Sequence, residues 1–246
     1  MDSFNFYNPT QIFFGEDAIQ NLAENIREYN KILLAYGGGS IKKNGIYDAV
    51  IKILNEENKS VFELSGITPN PKLDKVYEGI EICKNNNIDF ILAVGGGSTI
   101  DCSKAIAMGA KTEEDVWGFY TEGKECKNAL PLGTVLTLSA TGTEMNAYSV
   151  ITDPKTHERP TGSSVYSYPK FSILDPTYTY SLPKEQTVYG VVDILTHIFE
   201  QYFSTPDESN ISDSLSEAII KTVIENSEIA LNDPTDYSAR ANLMWR

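Results

Sequence analysis

Phe90-Ile91-Leu92-Ala93-Val94-Gly95-Gly96-Gly97-Ser98-Thr99-Ile100-Asp101-Cys102-Ser103-Lys104 decides how this chain is read. The unbroken apolar run from Phe90 to Val94 predicts a buried strand, and the residues from Thr99 to Met108 predict a helix. Between them, Gly95-Gly96-Gly97-Ser98 lies where a strand ends and a helix begins. Glycines let a backbone approach a phosphate, and a helix N-terminus offers free N–H groups and the positive end of a dipole. A tight turn would use the same residues, so one such run is weak on its own. Asp101 and Lys104 stand one turn apart on the new helix. Asp101 complements the dipole there, and the two could equally form a plain i,i+3 ion pair.

Gly37-Gly38-Gly39-Ser40 repeats the arrangement after an earlier strand, Lys31 to Ala35. Two copies at equivalent places are harder to explain as turns. Neither fits GxGxxG or GxxxxGK[ST], which disfavours a standard Rossmann domain and an NTPase. A site that selects NAD commonly sets a carboxylate against the ribose hydroxyls, repelling a 2′-phosphate. Here position 39 is Gly, Ser40 supplies a hydroxyl, and Lys42 and Lys43 follow. That environment favours NADP(H).

Further strands are expected at Ser60 to Leu64, Leu132 to Leu136, Ser149 to Thr152 and Phe171 to Leu174. Helical spacing appears at Ala18 to Ile26, Tyr47 to Asn55 and Leu73 to Cys83. Strands alternating with helices predict an α/β fold with a mostly parallel sheet and flanking helices, whose ligands bind beyond the carboxyl ends of the strands. Phe4 to Tyr7 and Gln11 to Phe14, on either side of Asn8-Pro9, are expected to form a short hairpin. Its exposed edge could pair with a second copy as a homodimer. Past Pro183 the pattern turns wholly helical. The expected division is 1–182, a dinucleotide-binding α/β domain, and 183–246, the first helices of an all-helical domain. Nothing at Asn242 to Arg246 ends a helix, so the chain is expected to be an N-terminal fragment.

A net charge of −14 argues against nucleic acid or an anionic membrane as partner. No apolar stretch approaches the roughly 20 residues that cross a bilayer, and the first residues lack a secretory pattern. Cys83, Cys102 and Cys126 are scattered, with no CxxC, which suits a reducing cytoplasm. Of the two histidines, His157 sits in a polar loop segment. His197 lies four residues after Asp193 on the predicted helix, so the two share a face and could grip one divalent ion. The apolar stripe of Val188, Val191, Val192, Leu195, Phe199 and Tyr202 runs on roughly the opposite face. Spacing alone fits a solvated acid–imidazole pair as well as a metal site.

Taken together these segments resemble the iron-containing (metal-dependent) alcohol dehydrogenase family along essentially the whole chain. The specific parts are Gly95-Gly96-Gly97-Ser98-x-x-Asp101-x-x-Lys104, Thr137-Leu138-Ser139-Ala140-Thr141-Gly142-Thr143-Glu144 and Asp193-x-Leu195-x-His197-x-x-Glu200. The wording of Ser139 to Asn146 and Gly190 to Tyr202 is most similar to the NADPH-dependent butanol dehydrogenase and aldehyde reductase branch. The resemblance implies a dehydroquinate synthase-like fold and hydride transfer between NADP(H) and a small aldehyde or primary alcohol, with Fe²⁺ or Zn²⁺ as a Lewis acid. It implies that Gly38, Gly39 and Ser40 hold the adenosine-ribose phosphate end, with Asn70 on the adenosine side. Gly96, Gly97, Ser98 and Asp101 would surround the pyrophosphate, and Thr137, Leu138, Thr141 and Asn146 would border ribose and nicotinamide. Arg159 stands where the family often has a lysine near the cofactor. Asp193 and His197 would be the first two of four metal ligands; the other two belong downstream. This chain alone is therefore expected to bind metal weakly and turn over little. A dehydroquinate synthase-type lyase or polyol-phosphate dehydrogenase would need clustered basic residues near the metal, and the Asp193–His197 helix offers none. A nucleotide-binding fragment without activity is the third reading.

Overall fold

The computed structural model describes residues 3–204 and 210–245; Arg246, named above at the chain end, lies outside the described residues. In chain order the strands are β1 Gln11–Phe14, β2 Lys31–Tyr36, β3 Ser60–Leu64, β4 Phe90–Gly95, β5 Leu132–Leu136, β6 Tyr148–Val150, β7 Thr161–Ser163 and β8 Phe171–Leu174. The helices are α1 Leu22–Asn25, α2 Ser40–Lys43, α3 Ile46–Glu56, α4 Leu73–Asn86, α5 Gly97–Gly109, α6 Gly118–Thr121, α7 Lys184–Tyr202, α8 Asn210–Asn232 and α9 Tyr237–Met244. Six strands form one parallel sheet in the order β1-β8-β5-β4-β2-β3.

Alternation along the strands builds a core on each face of that sheet. Ile32, Leu34 and Tyr36 join Phe90, Leu92 and Val94 on the face covered by α3, whose Ile46, Val50 and Leu54 repeat every fourth residue. Leu33, Ala35 and Ile91 face α4 and α5. At a fully buried position such as Val50 or Leu54 this is worth about 1.5–3 kcal/mol per side chain. α4 and α5 approach closely because Gly79 leaves room for Ile106, whose Cδ1 lies 2.3 Å from where a Cβ would sit. A separate cluster of Ile194, Val223, Ala230, Ala239 and Leu243 holds α7, α8 and α9 together. Met244 of α9 reaches back to pack with Ala93, Ile100, Leu136 and Leu174.

Three local expectations are corrected. There is no hairpin at Asn8-Pro9: Gln11–Phe14 pairs in parallel with β8 instead. Asn8 Nδ2 donates to the Met145 carbonyl (2.9 Å) and Asn8 Oδ1 accepts from Thr10 N (3.0 Å), which ties the turn to the body of the protein. The strand expected at Ser149 belongs to a separate antiparallel pair, β6 with β7. On α7 the inward residues are Thr187, Gly190 and Ile194, while Val188 and Val192 of the apolar stripe are exposed. The reason is steric: Gly190 alone lets the helix meet the loop after β5, because a Cβ there would lie 2.5 Å from the Ser139 carbonyl oxygen.

Candidate functional site

β2 and β4 are neighbours and run parallel, so the two glycine loops emerge side by side at the carboxyl edge of the sheet. Their glycines are not all needed for the same reason. In the second loop a Cβ on Gly95 would lie 2.5 Å from Thr99 Oγ1, one on Gly97 2.6 Å from Thr141 Oγ1, and one on Gly96 3.2 Å from Leu138 Cβ. Close packing within the protein accounts for those three. In the first loop, Gly37 has the Ile67 carbonyl oxygen at 3.2 Å from a Cβ position, and Gly39 has φ +97°, which favours glycine. Gly38 has neither constraint. Nothing lies within 4 Å of its Cβ position and its φ is outside the left-handed region. The fold does not require glycine there, whereas a ligand that must touch the backbone would.

The loop after β5 supplies the wall of the second loop: Leu138 lies against Gly96 and Thr141 against Gly97, and Thr137 N donates to the Gly95 carbonyl (3.0 Å). Sequence reasoning missed what holds this wall in place. Lys104 is fully buried on α5, and its Nζ lies within hydrogen-bond distance of Thr143 O (2.7 Å), Thr143 Oγ1 (2.8 Å), Asn146 O (2.7 Å), Asn146 Oδ1 (3.0 Å) and Tyr148 O (2.8 Å). Burial lowers its pKa to about 7, against the charges of Asp101 and Glu144. An ammonium has three donors and an amine two, so this crowd of acceptors selects the charged form. Thr143 Oγ1 bridges the two helix charges by donating to Asp101 Oδ1 (2.6 Å), and Val150 N donates to Asp101 Oδ2 (3.0 Å). The i,i+3 pairing expected of Asp101 and Lys104 is thus routed through Thr143. The signal for this was present in the sequence: one lysine among Ile100, Cys102, Ala105, Ile106, Ala107 and Met108.

Asp101 and Asn146 therefore spend their side chains on the protein. Asn146 Oδ1 also accepts from Tyr148 N (2.9 Å), and Nδ2 donates to Gly142 O (3.2 Å). Burial raises the pKa of Asp101, opposed by the Thr143 hydrogen bond and Lys104. Asn70 is exposed in the loop after β3, with φ +55°, a conformation that asparagine tolerates. Arg159 is exposed beside His157, which is also exposed.

Glu63 of β3 is a residue that the sequence pattern does not single out. It accepts from Tyr36 Oη (2.5 Å) and Tyr47 Oη (2.7 Å), and its carboxylate is 3.6 Å from Lys42 Nζ. Lys42 in turn lies over the rings of Tyr36 and Tyr47, at 5.0 and 4.3 Å from their centroids. Burial pushes the Glu63 pKa up, but the two tyrosine hydrogen bonds and Lys42 outweigh it, and the net shift is downward.

On α7, His197 Nε2 lies 3.7 Å from Asp193 Oδ2, with about half of the imidazole exposed. Asp193 Oδ2 is buried and accepts no hydrogen bond. An orphaned carboxylate oxygen next to an imidazole is the donor chemistry of half a divalent-cation site. Among the described residues no group of three or more His, Cys, Asp or Glu gathers to complete one. Gly190, less than one turn before Asp193, rests on Ser139, and this contact brings α7 onto the loop that walls the second glycine run.

Six parallel strands with two glycine loops at their carboxyl edge, followed by helices carrying an acid–imidazole pair, define the class of this protein as α/β with a helical extension. The model of the iron-containing alcohol dehydrogenase family matches residues 9–176, and that of the C-terminal part of the Fe-containing alcohol dehydrogenase family matches 187–245. The chain belongs to the iron-containing alcohol dehydrogenase family, and its sheet and flanking helices have the dehydroquinate synthase-like arrangement. It is 48% identical over 246 residues to probable NADH-dependent butanol dehydrogenase 1 of Bacillus subtilis, covering 100% of this chain and 64% of that protein. It is 42% identical over 248 residues to the NADPH-dependent aldehyde reductase YqhD of Escherichia coli, again covering 100% of this chain and 64% of that one. The crystal structure of NADH-dependent butanol dehydrogenase A from Thermotoga maritima superposes with a TM-score of 0.96 at 47% identity, covering 100% of this chain and 62% of that one. The chain thus spans somewhat less than two thirds of the length of these relatives.

Proposed function

We propose that this chain is the cofactor-binding part of a metal-dependent oxidoreductase that moves a hydride between NAD(P)H and a small aldehyde or primary alcohol. Residues 1–182 form the dinucleotide-binding unit, and 183–246 begin the helical unit that holds the metal. The observation that carries the reading is Gly38, a glycine that the fold leaves free of any packing or backbone demand, at the edge where two glycine loops meet. Gly38, Gly39 and Ser40 hold the adenosine-ribose phosphate end. Gly96, Gly97 and Ser98, at the start of α5, face the pyrophosphate with backbone N–H groups and the helix dipole. Leu138 and Thr141 border ribose and nicotinamide, while Asp101, Lys104 and Asn146 position that wall from behind. Ser40, Lys42 and Lys43 favour NADP(H).

Asp193 and His197 would hold a divalent ion, Fe²⁺ or Zn²⁺, which supplies Lewis acidity toward a substrate oxygen when bound. A cytoplasmic enzyme acting on small molecules, with a second copy of itself as protein partner, completes the proposal; among the described residues no helix is long and apolar enough to cross a membrane. Titration of the chain with NADPH, followed by nicotinamide fluorescence with and without Zn²⁺, tests it. Saturable NADPH binding supports the reading, and a folded chain that binds neither NADPH nor NADH refutes it.

A further inference from the structure

We propose that Glu63 and Lys42 together read the 2′ position of the adenosine ribose, with Glu63 and a 2′-phosphate competing for the same lysine. The inference rests on the nucleotide-binding reading above and goes beyond it, by assigning cofactor choice to a pair outside the glycine loops. β2, α3 and β3 form a βαβ unit with its glycine run after the first strand. Ligands of open parallel sheets lie beyond the carboxyl ends of the strands, so an acid near that end of the strand beside the first glycine loop is placed to meet a ribose held on the loop. Glu63 occupies that place, next to last in Ser60–Leu64. The first loop has no carboxylate of its own, with glycine at position 39, so the acid comes from the neighbouring strand.

The surroundings of Glu63 suit a reader rather than a structural ion pair. Tyr36 ends β2 immediately before the loop, and with Tyr47 it holds the carboxylate in one orientation. Lys42 is 47% exposed and the Glu63 side chain 39%, so both reach solvent beside the loop. Glu63 accepts from a free 2′-hydroxyl and keeps Lys42 neutralised. A 2′-phosphate instead draws Lys42 away, and must do so against the Glu63 charge. The chain then accepts both reduced cofactors, and Glu63 sets the ratio between them.

The test is equilibrium titration of the wild-type chain, Glu63→Gln and Lys42→Gln with NADH and with NADPH, with thermal melts as a check on folding. Glu63→Gln should tighten NADPH and weaken NADH, moving the ratio of dissociation constants toward NADPH by about tenfold, the scale of one charged hydrogen bond. Lys42→Gln should move the ratio the opposite way. If a folded variant changes both affinities by the same factor, or neither, the assignment is overturned. If the folded wild-type chain binds neither cofactor, it is the nucleotide-binding reading that has failed, and this assignment falls with it.

Discussion

Replacing Gly38 by alanine separates a ligand cradle from a tight turn. With no heavy atom within 4 Å of the new methyl and a φ outside the left-handed region, the folded protein should take alanine without strain. Alanine also narrows the unfolded ensemble, which stabilises by about 0.4–1 kcal/mol. For a domain of this size that is a rise in Tm of about 1–4 °C. A phosphate seated on the backbone would meet the methyl directly. Overpacking by one methyl group costs about 1–3 kcal/mol, so NADPH affinity should fall by between about fivefold and about 140-fold. The assay is a circular-dichroism melt paired with a fluorescence titration of NADPH on the same preparation. An unchanged Kd with an unchanged or higher Tm would refute the cradle and leave the loop a turn. A large fall in Tm would show that the backbone itself demands glycine there, which also removes the argument.

Gly190→Ala should gain about 1 kcal/mol of helix propensity yet destabilise overall, because the methyl would sit 2.5 Å from the Ser139 carbonyl oxygen. A melt with Tm lowered by a few degrees is expected, and a higher Tm would contradict the close approach. Lys104→Met removes the buried cation that gathers Thr143, Asn146 and Tyr148, and should cost about 3–5 kcal/mol in urea denaturation; a loss under about 1 kcal/mol would show that the loop holds itself. Cys83 and Cys102 are buried, and burial raises the pKa of each to about 12, so both should resist thiol labelling at pH 8 until the chain unfolds. Fast labelling of either in the native protein would be inconsistent with their place in the core.

Much of the fold could be read because its signals are local. The buried strands Lys31–Tyr36 and Phe90–Gly95 announce themselves as unbroken apolar runs, and α4 as a stripe at helical spacing. The Gln11–Phe14 strand was legible as a strand but not in its pairing, because its partner β8 lies some 160 residues away and the Asn8 contact to Met145 is equally remote. The inward face of α7 was misread because apolar content points to Val188 and Val192, whereas the packing is set by the absence of a side chain at Gly190. In the site, the glycine loops and the Asp193–His197 spacing are visible as motifs. Lys104 is visible there too, but its role is not, and Glu63 is not visible at all, since the meaning of each depends on groups brought from other segments: Thr143 and Tyr148 for one, Tyr36 and Lys42 for the other.

The contact between Gly190 and Ser139 has a thermodynamic corollary. Leu138, one residue away, leans on Gly96, so two hard contacts in series link the start of α5 to the turn of α7 that carries Asp193. Close-packed interiors shift between discrete arrangements rather than deforming smoothly. Anything that fixed the first contact would thereby restrict the second, and whatever factor a group bound at one end applied to the other would be returned by reciprocity.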